Sequence, residues 1–171
     1  DGFSFVINPA ENHQRPDYIY INRVEKQNSE NLTASLSSFR GFDLKEFYAI
    51  RIIVHETIFA LIPETIFDLS DMEAYLNLNH PPRIKRKTLS NKITAAKAVC
   101  VFSVENELYE VLKKKFPDAV FCHTSLPFCT MALNKANDGC FMQCYEKSME
   151  LAMVNDKKLV LYNIFDLQDG N

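Results

Sequence analysis

The sequence predicts an α/β protein with a mixed sheet, built as two related halves. The strongest indication is the segment from Gly139 to Phe165, where three apolar-rich runs are joined by two very short polar turns, as in an antiparallel meander. The chain opens with two runs of the same kind, Phe3 to Asn8 and Tyr18 to Glu25. Strand-like and helical patterns alternate between them. An opening of strands that recurs after a mixed segment favours two halves of one architecture.

The first internal elements are predicted from a capping residue and from apolar spacing. Ser29 can cap a helix over residues 30–40, which carries an apolar stripe at helical spacing. Apolar runs over 47–54 and 57–62 then predict two strands. Only His55-Glu56 separates these runs, so the pattern predicts a tight hairpin at this position.

The next segment combines a helix with a basic stretch. Residues 70–73, Ser-Asp-Met-Glu, have the form of a capping box and predict a helix over 70–78. The proline pair 81–82 blocks its extension. Residues 83–92 are rich in Lys and Arg and are predicted as a mobile, solvated connector.

The remaining elements alternate between strand and helix. A continuous apolar run over 98–104 is typical of a strand buried on both faces. A helix over 105–116 follows, with three Lys in its last turn, then a strand over 119–123 and a helix over 124–136. The predicted order is therefore ββ-α-ββ-α-β-α-β-α-βββ, and the last half is cut off before any helix.

Composition allows a packed core and gives no global attraction to polyanions. The 171 residues are 47% hydrophobic and 24% charged, with a formal net charge of -3. This balance gives no general affinity for nucleic acid or for anionic lipid, so no nucleic-acid partner is expected.

A few sequence features bear on the cellular compartment and on the ends of the chain. No apolar run approaches the roughly 20 residues that a membrane helix needs, so no membrane insertion is expected. Five Cys without a paired spacing fit reduced thiols and a cytoplasmic location. Asp1-Gly2 is a hairpin dipeptide with nothing before it, which predicts that a preceding strand is missing from the chain as given.

Three segments support a resemblance to a known family. They are Thr57 to Pro63 (TIFALIP), Phe116 to His123 (FPDAVFCH) and Lys158 to Phe165 (KLVLYNIF). With the element order, they are similar to an uncharacterised bacterial family, domain of unknown function 3822, and resemble the actin-like ATPase or ribonuclease-H-like fold. The resemblance implies that residues 1–137 form a first half and residues 138–171 the three-stranded opening of a second, truncated half. It brings no activity, so no catalytic residue is carried over.

Nucleotide binding is the first function that this resemblance raises. Actin-like proteins hold phosphates in glycine-rich turns between the first two strands of each half, because backbone amides must approach the oxygens closely. The matching turn of the second half, Tyr145 to Ser148, contains no Gly, and Glu146 places a negative charge there. The chain has four Gly and no Walker or dinucleotide motif. We therefore expect no bound cofactor.

Metal and nucleophilic sites find little support in the spacing. Cys140 and Cys144 share one face of a predicted strand but lie about 13 Å apart, which is too far for one metal ion. Cys122 and His123 are adjacent on a strand and point to opposite faces. No nucleophile elbow supports Ser-His-Asp catalysis, and His55 is interpreted as a solvated or capping residue of the hairpin. No catalytic or metal-binding residue is predicted.

The basic stretch supplies the candidate contact residues: Arg83, Lys85, Arg86 and Lys87. They could touch an acidic partner, RNA or a phosphate, but no aromatic side chains are interleaved with them to stack on bases. A partner protein is the favoured ligand for this stretch, but a solvated connector is the preferred interpretation of it.

Two functional hypotheses follow, from different classes. The first is a non-catalytic interaction or scaffold module with an actin-like fold that lacks phosphate loops and docks a protein through a sheet edge or the basic stretch. The alternative is an ATP-binding or ATPase protein whose nucleotide loops lie outside this chain. The sequence favours the first because glycine is scarce where phosphates would bind. A thiol- or zinc-dependent enzyme is a third, less supported hypothesis.

Overall fold

The computed structural model describes residues 3–7, 17–21, 49–82, 84–135 and 137–167. The chain forms two compact units, Asp1–Phe47 and Tyr48–Asn171. In the first unit, strands β1 (Phe3–Ile7) and β2 (Asp17–Ile21) pair in antiparallel orientation, with Phe3 opposite Ile21. The predicted helix over 30–40 lies outside the described residues, and the division after residue 137 stays a prediction.

The second unit contains three sheets and three α-helices among its described residues. One sheet pairs β3 and β7, one has the order β4-β6-β5 and one has the order β10-β9-β8. The strands are β3 (Arg51–Val54), β4 (Phe59–Pro63), β5 (Arg86–Ile93), β6 (Ala98–Glu105), β7 (Val120–His123), β8 (Gly139–Cys144), β9 (Ser148–Asn155) and β10 (Lys158–Asp166). The helices are α1 (Met72–Asn77), α2 (Asn106–Lys115) and α3 (Ser125–Lys135). Short 3-10 turns, Glu64–Ile66, Leu69–Asp71 and Thr94–Ala96, complete the connections.

The predicted hairpin at His55-Glu56 is wrong. Strand β3 pairs with β7 in parallel, whereas β4 pairs with β6 in the neighbouring sheet. A two-residue hairpin needs left-handed backbone in its turn, and neither of these residues has a positive φ. The loop after β3 therefore carries the chain from one sheet to another, which gives His55 a new environment.

The connector predicted over residues 83–92 is also wrong, because Arg86–Ile93 forms strand β5. Its sequence is mostly polar, so a search for apolar alternation does not predict a strand there. The strand pairs along its whole length with β6, whose residues are almost all buried. Tertiary pairing overrides local composition at this position.

The structure confirms the predicted antiparallel meander at the end of the chain and the predicted buried strand, β6. β8, β9 and β10 pair in antiparallel order. Asp156 and Lys157 both have positive φ, as the two-residue turn between β9 and β10 requires. On the inner face of the meander, Tyr162 packs against Phe128 of α3, with ring centroids 6.3 Å apart. One sheet face is thus covered by a helix.

The Asn91 side chain joins two of the sheets. Its Nδ2 group donates to the carbonyl of Phe121 at 2.9 Å, and its Oδ1 accepts the backbone N–H of His123 at 2.6 Å. Both partners belong to β7, so a β5 side chain satisfies backbone groups that the two-stranded sheet leaves open.

Replacing this amide should destabilise the protein. We expect Asn91→Ala to lower the free energy of unfolding by about 1–3 kcal/mol, because it leaves backbone groups of β7 without partners. Urea unfolding measures the difference. The matched control is Asn79→Ala at an exposed position, which should change stability by no more than about 0.5 kcal/mol. Equal stability of both variants would contradict the bridge.

Candidate functional site

A polar cluster lies where the two parallel strands end. The carboxyl ends of β3 and β7 meet at one edge of their sheet, and the residues that follow them are His55 and Thr124. The backbone N–H of Thr124 donates to the Val54 carbonyl at 3.0 Å, which holds the two ends together. In α/β sheets, side chains after the carboxyl ends of strands commonly form sites.

Glu150 of β9 is the centre of this cluster. Its side chain is 0% exposed, yet it carries a carboxylate. Oε1 accepts hydrogen bonds from Thr124 Oγ1 at 2.6 Å, from His55 Nδ1 at 2.9 Å and from Tyr145 Oη at 3.2 Å. Oε2 is buried and has no partner within the described part of the chain. A buried carboxylate is tolerated only with such donors, so the cluster ties the meander to both strand ends.

His55 packs against the turn between β8 and β9. The imidazole Nε2 lies 2.8 Å from Ser148 Oγ, and the ring contacts the Tyr145 ring with centroids 4.2 Å apart. The backbone N–H of Tyr145 donates to the Ser148 carbonyl at 2.8 Å. This turn is therefore lined by an imidazole and by an amide that already has a partner.

The tautomer of the His55 ring follows from its two hydrogen-bond partners. In the neutral ring only one nitrogen carries a proton, and a carboxylate oxygen can only accept. The proton is then on Nδ1, and Nε2 accepts the hydroxyl proton of Ser148. Its side chain is 31% exposed, so solvent reaches one side of the ring.

A second histidine anchors the same loop from within the core. His123 is fully buried, and its Nε2–H donates to the Glu56 carbonyl at 2.8 Å. Its Nδ1 accepts from Ser125 Oγ at 2.8 Å and from the Ser125 backbone N–H at 3.1 Å. Burial lowers the pKa of His123 from 6.5 to about 4, against the raising effect of the bond to Glu56. Neutral His123 fits the donors and acceptors around it.

Burial also raises the pKa values of groups near Glu150. The phenol of Tyr145 has a raised pKa because it is partly buried, and the carboxylate of Glu150 adds to the effect. The phenol of Tyr162 is more strongly affected by burial, and its pKa also rises. Both phenols are therefore neutral at physiological pH; Tyr145 Oη donates to Glu150, whereas the buried Tyr162 Oη has no partner within the described part of the chain.

The four predicted contact residues fall in different environments. Arg83 lies outside the described residues, and Lys85 and Lys87 are exposed. Arg86 is mostly buried and forms an ion pair with Glu56, and its Nε donates to Ser103 Oγ at 2.8 Å. The structure thus uses Arg86 to hold the loop after β3, while partner contact by this stretch stays a prediction.

The cysteines are spread over the unit. Cys100, Cys122 and Cys129 are buried, whereas Cys140 and Cys144 are exposed on β8. Burial raises the pKa values of Cys100 and Cys129 to about 12, so these thiols stay protonated. Within the described ranges, no group of three or more His, Cys, Asp or Glu side chains could hold a metal ion. No described helix is long and apolar enough to cross a membrane.

Sequence patterns did not identify Ser148, Glu150 or His55 as a cluster. The available signal is the strand β9, where Ser148, Glu150, Ala152 and Val154 alternate with larger apolar residues. The alternation favours the apolar set as the buried one, but the structure buries the set that contains Glu150. A strand that buries its carboxylate is a departure from pattern, and such departures mark sites.

Comparison with known proteins identifies the family. Residues 1–171 match the family described as Protein of unknown function (DUF3822), so the chain belongs to that family. None of the curated proteins matches.

A solved structure supports the fold. A Bacteroides thetaiotaomicron protein, described as having an actin-like ATPase fold and unknown function, superimposes with a TM-score of 0.80 at 21% sequence identity. The match covers 99% of this chain and 67% of that chain. The actin-like fold predicted from the sequence is thereby confirmed.

Acid should destabilise the folded protein through His123. The unfolded chain binds a proton at His123 below about pH 6.5, whereas the folded protein does so only below about pH 4. Stability should therefore fall by up to about 3 kcal/mol as the pH drops through this window. Urea midpoints measured between pH 7 and pH 4 report this loss.

The His123→Gln variant should lose this part of the pH dependence, while the control His80→Gln keeps it. If His123→Gln does not fold, a titration of the wild-type ring by NMR decides the same point. A midpoint near pH 6.5 for His123 would contradict the assignment.

Removing the buried carboxylate should lower the free energy of unfolding, because it also leaves the surrounding donors without an acceptor. In Glu150→Ala, the hydroxyls of Thr124 and Tyr145 lose their acceptor, so we expect a loss of at least about 2 kcal/mol in unfolding free energy. Glu150→Gln keeps an acceptor oxygen and should lose less. The exposed Glu110→Ala should change stability by no more than about 0.5 kcal/mol. The opposite ranking of the two Glu150 variants would contradict the described contacts.

Proposed function

We propose that this member of the DUF3822 family is an interaction or scaffold protein that docks another protein on its closing meander. The meander has one covered and one open face among the described residues. Its inner face packs on α3, and its outer face presents large apolar side chains. This open apolar face is the observation that supports the proposal.

The register of the meander defines the outer face. Opposite residues of neighbouring strands project on the same side of a sheet. The register therefore gives three rows, each with one residue from β8, β9 and β10 in that order. The rows are Cys140, Met153 and Leu161; Met142, Leu151 and Asn163; and Cys144, Met149 and Phe165. All members except Asn163 are apolar or carry sulfur. Six of the nine are exposed, whereas Met149, Leu151 and Asn163 are half-buried. Exposed apolar patches of this kind mark interaction sites.

The edge strand indicates what kind of partner fits. β8 pairs only with β9 within the described residues, and all but one of its side chains are exposed. It carries no charged residue, so nothing in its sequence prevents another strand from pairing there. We propose that the partner is a protein segment that adds as a strand to β8 and lays apolar side chains on the outer face.

The same structure makes the turn before β9 a poor phosphate site. Phosphate binding uses backbone amides that are free to donate. Here Tyr145 N–H has a partner within the turn, and His55 contacts Ser148. These contacts support an interaction role over the alternative of an ATP-binding protein.

The proposal includes a bacterial, cytoplasmic setting. The described cysteines are all free, and two of them lie exposed on β8. Exposed thiols without partners suit a reducing compartment. The bacterial assignment rests on the family resemblance.

A crosslinking experiment tests the docking face. A photoreactive amino acid replaces Met142 in the full-length protein in cells, and the captured protein is identified, purified and titrated against the wild type. Met142→Arg should weaken that binding at least about tenfold, because it places a charge in an apolar contact. A tenfold loss of affinity corresponds to about 1.4 kcal/mol of binding free energy.

The matched control is Ile66→Arg, since Ile66 is 66% exposed and Met142 61% exposed. It should leave the affinity unchanged. Equal effects of the two variants, or no effect of Met142→Arg, would overturn the docking face. Calorimetric titration with Mg-ATP should give no binding heat, and saturable binding would favour the alternative function.

A further inference from the structure

We propose that Ser148, His55 and Glu150 form a relay in which the Ser148 hydroxyl is a nucleophile toward acyl groups. Ser148 Oγ lies 2.8 Å from His55 Nε2, and His55 Nδ1 lies 2.9 Å from Glu150 Oε1. This activity goes beyond docking and uses the polar cluster, which the docking face does not need.

The order of atoms is that of a serine–histidine–carboxylate triad. In such triads the hydroxyl bonds one ring nitrogen and a buried carboxylate bonds the other, which fixes the tautomer and stabilises the imidazolium that forms. All three positions are filled here by the required groups at hydrogen-bond distance. Triads are recognised by geometry and roles, and the chain order His-Ser-Glu is no obstacle.

The relay is held rigidly by its neighbours. Thr124 Oγ1 and Tyr145 Oη donate to the same oxygen of Glu150 that receives His55. The Tyr145 ring packs on the imidazole, so the ring cannot turn freely. A preorganised base spends little free energy on orientation when it takes a proton.

Access limits the substrate to small or protruding acyl groups. Ser148 is 8% exposed, and the His55 ring reaches solvent on one side. The residues before Ser148 form a short surface turn, with Glu146 and Lys147 exposed. We therefore assign an acyl group on a small ester, or at the end of a longer molecule, as the substrate class.

The proposed step balances without a cofactor. The Ser148 oxygen bonds to the acyl carbon as its proton passes to His55 Nε2. The bond from the acyl carbon to the leaving oxygen breaks, and His55 returns the proton to that oxygen. Water then cleaves the acyl-serine by the same route, which releases the acid and restores the hydroxyl.

The chain offers an internal comparison. Ser125 Oγ also lies 2.8 Å from a histidine nitrogen, Nδ1 of His123. That histidine donates its other N–H to a backbone carbonyl and not to a carboxylate, and Ser125 is 0% exposed. Of the serines that the structure describes, only Ser148 combines a carboxylate-backed histidine with a surface turn.

The test is covalent labelling of the full-length protein with a small fluorophosphonate, with the modified residue found by mass spectrometry. We expect an adduct on Ser148, none on Ser125, and none at either position in Ser148→Ala. His55→Ala should slow labelling at least about 100-fold, because the base is lost. His80→Ala should label at the wild-type rate.

Glu150 is a positioning residue, so its test compares single and double variants. Circular dichroism first selects Glu150→Gln protein that is folded. In this variant the labelling rate should fall, and the same substitution made in His55→Ala should slow labelling no further, because Glu150 acts through the ring. No adduct on Ser148 of the folded wild type would overturn the relay, as would equal rates for the wild type and His55→Ala.

Discussion

The second unit depends on one buried carboxylate that must be surrounded by donors. Glu150 has no exposed surface, and an isolated charge at such a position would be costly. Its three donors come from three segments: the loop after β3, the residue that follows β7 and the turn before β9. Meeting this requirement brings the meander against the parallel strands, and it also determines where His55 and Ser148 lie.

The same requirement explains why the meander turns its larger apolar side chains outward. Because Glu150 faces inward on β9, the residues at alternate positions face outward, and these are Met149, Leu151 and Met153. The larger apolar side chains of the strand therefore lie on the open side. A buried polar cluster and an exposed apolar face are thus two results of one choice of strand orientation.

Much of the fold could be predicted, because it depends on local pattern. The apolar run of β6 and the short turns of the meander both appeared where periodicity placed them. Strand β5 was missed because its residues are polar and its pairing is decided by β6. The hairpin at His55-Glu56 was wrong because two adjacent apolar runs need not pair with each other. Pairing between distant strands leaves no mark in a single sequence.

The candidate site was beyond prediction for the same reason. Its members come from positions 55, 124, 145, 148 and 150, and no short motif joins them. His55 had the signature of a turn residue, and Glu150 that of an exposed strand position. Only the parallel pairing of β3 with β7 and the packing of β9 bring them within hydrogen-bond distance.

The most direct measurement of the central claim is a double-mutant cycle between His55→Ala and Glu150→Ala. Unfolding free energies of the wild type, both single variants and the double variant give the coupling between the two side chains. We predict a coupling of at least about 1 kcal/mol, as expected for contacting residues in one hydrogen-bond network. Effects that add within about 0.3 kcal/mol would show that the two side chains do not interact, and would contradict the account.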